Sequence, residues 1–405
     1  MNFNSLRDAY REEVIRTRRA FHAAPELSGH EWNTAERIRA ILTGAGIPWE
    51  PCGKELPGTL VTIDGVGAGK TILLRADIDA LPIEEKNDVP YKSGTKGVMH
   101  ACGHDCHIAM LLAAAKILYE HRTVFPGRVK CIFQPAEENS RGALDMIAGG
   151  VLEGVDAAFG IHVASSVPSG KVSLRSGPST AATDFFRITL HGRSGHAARP
   201  NECIDVAPAI AALILELQTI RSREANPLST LVLTIGTIHS GSRWNVISGE
   251  ASIEGTVRSY DPAVRDLAET SLRRISEDVA AAYGCTADVT YDRLCDALVN
   301  DEAMTGIARE ASEAVLGAGS TVINPPGTGG EDFSFYANLV PSSFAHLGVR
   351  NAACGADKPQ HSDCYMVDEN ALVDGALIHV ATALRFLTGS TGQNKLKGRH
   401  KYAGY

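Results

Sequence analysis

Hydrophobic and polar positions along the 405-residue chain change rhythm several times. Leu6, Tyr10, Val14 and Ile15 recur at helical spacing, and a second such stretch runs from about Ala35 to Leu42. This spacing predicts two helices with the loop "HAAPELSGHE" between them. "TLVTID" and "TILLRAD" follow as β runs. The glycine-rich "GVGAGK" between them reads as a hairpin turn, because a phosphate-binding loop would need glycine where Asp64 stands and a helix where "TILLRAD" is a strand. Ile108 to Leu118, "IAMLLAAAKIL", is apolar nearly all round, which predicts a buried helix with Asp105 capping its first amides. "RVKCIFQ", a helical "RGALDMIAGGVL" and the strand "DAAFGIH" continue an alternation that predicts an α/β fold with a mainly parallel sheet covered on both faces.

Near residue 181 the pattern changes. "TDFFRITLHG" is a strand, Ile204 to Arg221 a helix, "LVLTIGTI" and "GEASIEGTVRS" strands, Pro262 to Tyr283 a helix and "CTADVTYD" a strand. The order βαββαβ is that of a ferredoxin-like α+β sandwich. Helical and strand segments of the first kind resume after about residue 294. The expected organisation is therefore a discontinuous domain, 1–180 and 294–390, interrupted by an inserted domain at 181–293. A polar, mobile tail is expected at 391–405.

Composition narrows the function. A hydrophobic content of 44%, a charged content of 21% and no apolar run judged long enough to span a bilayer are those of a soluble globular protein. The N-terminal "MNFNSLRDAYREEVIRTRRAF" lacks the apolar centre of a signal peptide, so a cytoplasmic location is expected, with no membrane partner. Nine cysteines spread along the chain do not form a dense, even disulfide framework, and reduced thiols are expected. A net charge of −8 argues against a nucleic-acid partner. The one basic run, "NKLKGRHKY", reads as part of the tail.

Candidate chemistry collects where strands end, the edge at which open α/β sheets bind ligands. "TILLRAD" ends in Asp77, "RVKCIFQPAEE" runs into Glu137 and Glu138, and "AAFGIH" ends in His162. "MHACGHDCH", at the entrance to the buried helix, adds Cys102 and His104, which would face one side of an extended segment. A metal centre, a closed zinc knot using Cys106, Cys354 or Cys364, and a cysteine nucleophile beside His104 are all open on these residues alone. The adjacent acids favour a metal centre: a cation binding one of them would relieve their repulsion and leave the other as a general base. An "EE" pair on a solvated loop is the plainer alternative. His361 in "PQHSD" and His196 in "GRSGHAARP" are loop or turn histidines when taken alone, and His100, His107, His121, His191 and His239 read as loop, capping or surface residues.

Taken together, "LLRADIDALPIEE", "GVMHACGHDCH", "FQPAEE", "GIHV", "GRSGHAARP" and "GGEDF" resemble the M20 metallopeptidase family, in particular its aminoacylase-like amidohydrolase branch. The resemblance spans about residues 15 to 390. It implies a zinc-peptidase-like catalytic domain, an inserted lid domain that dimerises, and two divalent metal ions per subunit, zinc or manganese first and cobalt or nickel next. Carried over by position, the metal ligands are Cys102, His104, Glu138, His162 and His361, with Glu137 as general base and proton donor and Asp77 behind the ligands. His196 would stabilise the oxyanion across a homodimer interface, assisted by Asn245, and Arg258 would hold a substrate carboxylate. The implied substrates are N-acyl-amino acids, with dipeptides or carboxypeptidase substrates as the alternative and a catalytically silent metal-binding homologue as the non-enzymatic one. One departure stands out: many peptidases of the wider family have a ligating histidine where this chain has Arg75, and the "HACGHD" segment resembles the substitute used by the amidohydrolase branch.

Overall fold

The computed structural model describes residues 1–389, so the tail expected at 391–405 and its basic run lie outside the described residues. The apolar stripe that begins at Leu6 becomes α1 (Phe3–His22), capped by Asn2, whose side chain accepts from the amides of Asn4 and Ser5. Helix α2 (Trp32–Gly44) and strands β1 (Glu50–Cys52), β2 (Gly58–Asp64) and β3 (Thr71–Asp77) come next. Then follow α3 (His104–Glu120), β4 (Arg128–Gln134), α4 (Gly142–Ala148) and β5 (Ala157–Pro168). Short strands β6 (Val172–Ser173) and β7 (Gly177–Thr180) lead into β8 (Ala182–His191), β9 (Gly195–His196), α5 (Val206–Thr219) and β10 (Leu231–Ser240). Strands β11 (Val246–Ile247) and β12 (Glu250–Ser259), helix α6 (Pro262–Ala282) and strand β13 (Thr286–Cys295) follow. The chain ends through β14 (Leu298–Asn300), α7 (Glu302–Leu316), β15 (Thr321–Val322), α8 (Ser334–Ala337), β16 (Ser342–Arg350) and α9 (Leu372–Thr388).

Eight strands form one mixed sheet in the order β1-β2-β4-β3-β5-β16-β6-β15. Its centre, β4-β3-β5-β16, is parallel, and antiparallel pairs flank it at β1-β2, β2-β4 and β16-β6. Strand β3 is buried at every position, as a central strand covered on both faces must be. One face packs Ile72 and Leu74 against Leu111 of α3 and Leu377 of α9; the other packs Leu73 and Ile132 against Met146, Phe333 and Tyr336. A separate four-stranded antiparallel sheet, ordered β10-β12-β8-β13, has its own buried cluster, in which Phe186 and Ile253 meet Leu213 of α5 and Leu272 of α6.

Three expectations are corrected. "GVGAGK" is not a hairpin turn, because β4 lies between β2 and β3. The loop instead grips the entry to β4: Gly65 and Val66 donate to the carbonyls of Gly127 and Phe125, both at 2.8 Å, and a side chain at Gly65 would meet Phe125 O at 2.2 Å. Asp105 is not the N-cap of α3. Gly103 holds that place; Asp105 lies in the first turn, where its Oδ1 accepts from the Cys106 amide at 3.0 Å, while its other oxygen is taken by Arg18 Nε at 2.8 Å and His22 Nδ1 at 2.7 Å, charges on α1 that need a partner in an apolar layer. Finally, residues Glu369–Thr388 are long and apolar enough to cross a bilayer, but most of that stretch is buried within the protein, where α9 packs against α3 and α7.

Phe159 is fully buried on β5 at the middle of the parallel core. Phe159→Ala should lower unfolding stability by about 3–5 kcal/mol, read as a lower urea midpoint with an unchanged slope. A midpoint equal to that of the parent would contradict this placement.

Candidate metal centre and active site

The five side chains expected as ligands arrive from four separate parts of the sequence and meet at one edge of the large sheet. Gly103, in the left-handed region at φ 95°, turns the chain between Cys102 and the start of α3, so these two neighbours come together through a turn and not along an extended segment. No side chain fits there: a Cβ would lie 2.5 Å from Val163 Cγ2. Cys102 Sγ stands 3.4 Å from His162 Nε2 and 3.4 Å from His361 Nε2. Glu138 Oε1 is 3.6 Å from His361 Nε2 and 3.9 Å from His104 Nε2. Among the described residues four groups of possible ligand atoms lie within 4.8 Å: Cys102-Glu138-His361 and His104-Glu137-Glu138, which share Glu138, and behind them Asp77-His104-His107-His162 and Glu137-Glu331-Asp332. His162 does not end its strand, since β5 continues to Pro168. It lies beyond Arg75↔Gly160, the last pair that β3 makes with β5, and so still faces the open edge.

These residues suit divalent cations. His104 points Nδ1 at Asp79 Oδ1, 3.0 Å away, which leaves Nε2 facing Glu138. Both His104 Nε2 and Glu138 Oε1 are buried without a hydrogen-bond partner, a costly arrangement that a cation between them would relieve. His162 holds its Nδ1 2.7 Å from Val163 O and turns Nε2 toward the thiol. Thiol, imidazole and carboxylate are the donor set of a zinc-type site. Cys106, Cys354 and Cys364 do not join Cys102 in any such group among the described residues, and no closed cysteine knot is formed there.

A model of peptidase family M20/M25/M40 matches residues 73–385. The chain belongs to this family. An N-acetyl-L-cysteine deacetylase from Bacillus subtilis (strain 168) is 41% identical over 377 residues, 93% of this chain and 88% of that one. Thermostable carboxypeptidase 1 from Saccharolobus solfataricus is 40% identical over 378 residues, 92% of this chain and 95% of that one. Among solved structures, a Bacillus subtilis protein described as a dinuclear metal binding peptidase from the M20 family matches with a TM-score of 0.82 and 33% identity, covering 94% of this chain and 99% of that one. The family expected from the motifs is thus the one found, and this M20 chain is a metallo-amidohydrolase.

Behind the expected ligands lies a network that local sequence patterns do not show. His107, expected at a surface or cap, is buried: its Nδ1 bonds Asp77 Oδ1 and its Nε2 accepts from the Val163 amide at 2.9 Å. With both nitrogens used, His107 fixes the strand beside His162 and is not free to ligate. Asp77 spends its other oxygen on Arg75. Arg75, buried, also reaches Asp332 Oδ1 at 2.7 Å and Glu331 Oε1 at 3.1 Å, and its Nε donates to Gln134 at 3.0 Å. The clue was the string "RADID" in an otherwise apolar strand, where every charge must find a partner.

Burial, with the charges of Glu331, Asp332 and Glu138, holds the Glu137 carboxyl well above the usual range. Burial also raises Glu138, and it pushes Glu331 up to about 8 and Asp332 up to about 6. Burial followed by the Glu138 charge raises the Cys102 thiol. For His104 burial works the other way, yet Asp77 and Cys102 outweigh it and the imidazole is held well above its ordinary value. The pocket is short of positive charge.

The remaining expected residues lie on or beside the four-stranded sheet. The ladder of β9 and β11 pairs His196 with Val246 and brings it beside Asn245, whose carbonyl accepts from Ala197 at 3.3 Å. His196 is exposed, and its Nδ1 accepts from the Ala198 amide at 3.1 Å, which leaves the proton on Nε2. Arg258, half-buried on β12, donates to Thr183 and, at 3.0 Å, to Thr256. Among the described residues, none of these three is in the groups that meet around Glu137.

Arg75→Met should destabilise the protein by about 3–5 kcal/mol, because it strands buried carboxylates. Glu331 and Asp332 bind protons more readily folded than unfolded, so their contribution to stability falls as pH rises through about 6 and about 8. The variant's deficit should therefore be larger near pH ~9 than near pH ~5 in urea titrations. An equal or absent deficit at both would contradict the network.

Proposed function

We propose that this M20-family enzyme hydrolyses small N-acyl-amino acids to a carboxylic acid and a free amino acid. One observation carries the reading: Glu137 is buried beside Glu138, and its carboxylate accepts only a long 3.4 Å contact from the Asp332 amide among the described residues, so it is free to move a proton. Cys102, His104, Glu138, His162 and His361 would hold two divalent cations, which supply the positive charge that lowers the pKa of water and polarises an amide carbonyl. Glu137 takes a proton from the attacking water as its oxygen bonds to the acyl carbon. It then delivers that proton to the amide nitrogen as the C–N bond breaks, so the water oxygen ends in the carboxylic acid and its hydrogen on the amine. The high proton affinity of Glu137 suits it to hold the proton between the two steps.

Asp77 serves behind the ligands. The order β8-α5-β10-β12-α6-β13 supports a ferredoxin-like lid and dimerisation domain at 181–293, inserted in a catalytic domain formed by 1–180 and 294–390. In a homodimer the His196 Nε2–H and Asn245 would be offered to the oxyanion of a partner's substrate, and the forked guanidinium of Arg258 to the substrate carboxylate. The thiolate favours zinc; manganese, cobalt and nickel suit the mixed donors as well. The cytoplasm, where thiols stay reduced, is the location these nine free cysteines fit. The similarity to a carboxypeptidase favours a second reading with the same machinery, cleavage of dipeptides or of C-terminal peptide bonds.

A hydrolysis screen of N-acetyl, N-benzoyl and longer N-acyl amino acids and of dipeptides, with zinc, manganese and cobalt supplied separately, tests both readings. Glu137→Gln should keep its metal content and lose about 10²- to 10⁴-fold in turnover. Full activity in that variant would refute the role of Glu137. Chelation should abolish turnover and metal add-back restore it; activity that survives chelation but dies on alkylation of Cys102 would favour a cysteine nucleophile.

A further inference from the structure

The turn that presents Glu137 and Glu138 is an unfavourable one for its sequence. Ala136 and Ser140 both lie in the left-handed region, at φ 55° and 58°, where a non-glycine residue costs about 1–2 kcal/mol. Bonds within the turn, from the Ser140 amide to Glu137 O at 2.8 Å and from the Gly142 amide to Ala136 O at 3.0 Å, hold it in part, and contacts from outside add to them. The Ala136 amide donates to Glu31 Oε1 at 2.8 Å, and the Glu138 amide donates to Asp79 Oδ2 at 3.0 Å. The two backbone amides that bracket Glu137 therefore each end on a buried carboxylate from a distant part of the chain.

Apart from one local bond, Glu31 is given over to this contact. It stands at the N-cap position of α2, but its side chain does not cap that helix; Glu26 does so, accepting from the amides of Asn33 at 3.3 Å and Thr34 at 2.7 Å. Glu31 Oε1 also accepts from Gly29 at 2.9 Å, while its Oε2 is buried without a partner. The residue is fully enclosed, and burial together with the Asp79 charge pushes its carboxyl up to about 7. Asp79 is better satisfied: Ser28 donates to it at 2.7 Å, and its other oxygen orients His104.

The geometry points to Glu31 as a positioning residue for hydrolysis, which with Asp79 clamps the amides of Ala136 and Glu138 and so aims the Glu137 carboxylate at the reacting water. This inference rests on Glu137 acting as the base. A clamp of this kind needs an acceptor oxygen at the right reach and not a charge, and small errors in aim can cost about 100-fold in rate.

Two variants separate reach from charge. Glu31→Gln keeps the acceptor at the same reach and removes the charge; Glu31→Asp keeps the charge and shortens the reach by one methylene. In the metal-loaded full chain, Glu31→Gln should hold kcat within about 3-fold, and Glu31→Asp should lower kcat by about 30- to 100-fold with KM and bound metal changed by less than about 2-fold. Adding Ala136→Gly to Glu31→Asp should recover about 10-fold, because glycine adopts the left-handed turn without the Cβ penalty. The proposal is overturned if Glu31→Asp keeps full kcat, if its loss lies only in KM or metal content, or if glycine at 136 recovers nothing. Glu31→Gln is the variant least disturbing to folding, and a folded, loaded Glu31→Gln protein with kcat down 30-fold or more would overturn the proposal by itself. Glu137→Gln in the same series separates the two readings: its inactivity with both Glu31 variants fully active sinks the clamp alone, whereas its full activity sinks the assignment of the base.

Discussion

A buried excess of negative charge is the constraint on which the rest of this structure depends. Asp77, Glu137, Glu331 and Asp332 sit close together out of water, and Arg75 ion-pairs with three of them while lying near the fourth. Just beyond, Glu138 and the Cys102 thiol face His104 and His361. Charges buried in this way cost several kcal/mol each unless they are compensated. The guanidinium answers the inner half of the cluster. The outer half is left with two orphaned atoms, His104 Nε2 and Glu138 Oε1, and with carboxyls and a thiol displaced toward their protonated forms. Divalent cations are the natural complement, and once they are bound they would release the thiol and the ligating acid from those protons.

The fold creates this edge by topology. A parallel centre of β4, β3, β5 and β16 aligns the strand ends, and β5 outruns β3 so that His162 stands clear of its neighbour. The turn after β4 and the Gly103 turn before α3 then deliver acids and thiol from either side. Arg75 is the internal counter-charge that lets two acids of the "GGEDF" segment approach Glu137.

Much of this was legible in the sequence, for a physical reason: elements and strand-end chemistry follow from local periodicity. The helix from Ile108 to Leu118, the strand "TILLRAD" and the βαββαβ order all correspond to observed elements. The five expected ligands do come together. What local periodicity cannot carry is the identity of a distant partner. Asp105 looked like a helix cap because Arg18 and His22 are not neighbours in sequence. His107 looked like a surface residue because its partners, Asp77 and the Val163 amide, lie on other strands. "GVGAGK" looked like a hairpin because nothing nearby shows that β4 inserts between the two strands it joins. Glu31 was invisible for the same reason, since its partner is the backbone of Ala136 rather than any side chain.

The central claim is that a thiolate, three imidazoles and one acid gather two cations while Glu137 stays unbound beside them. X-ray absorption at the edge of the bound metal, combined with the metal-to-protein ratio of the purified enzyme, tests it most directly. The expected result is two ions per chain, with a sulfur ligand at about 2.3 Å for zinc that disappears in Cys102→Ser. A single ion, or a full complement of metal with no sulfur in its coordination shell, would contradict it.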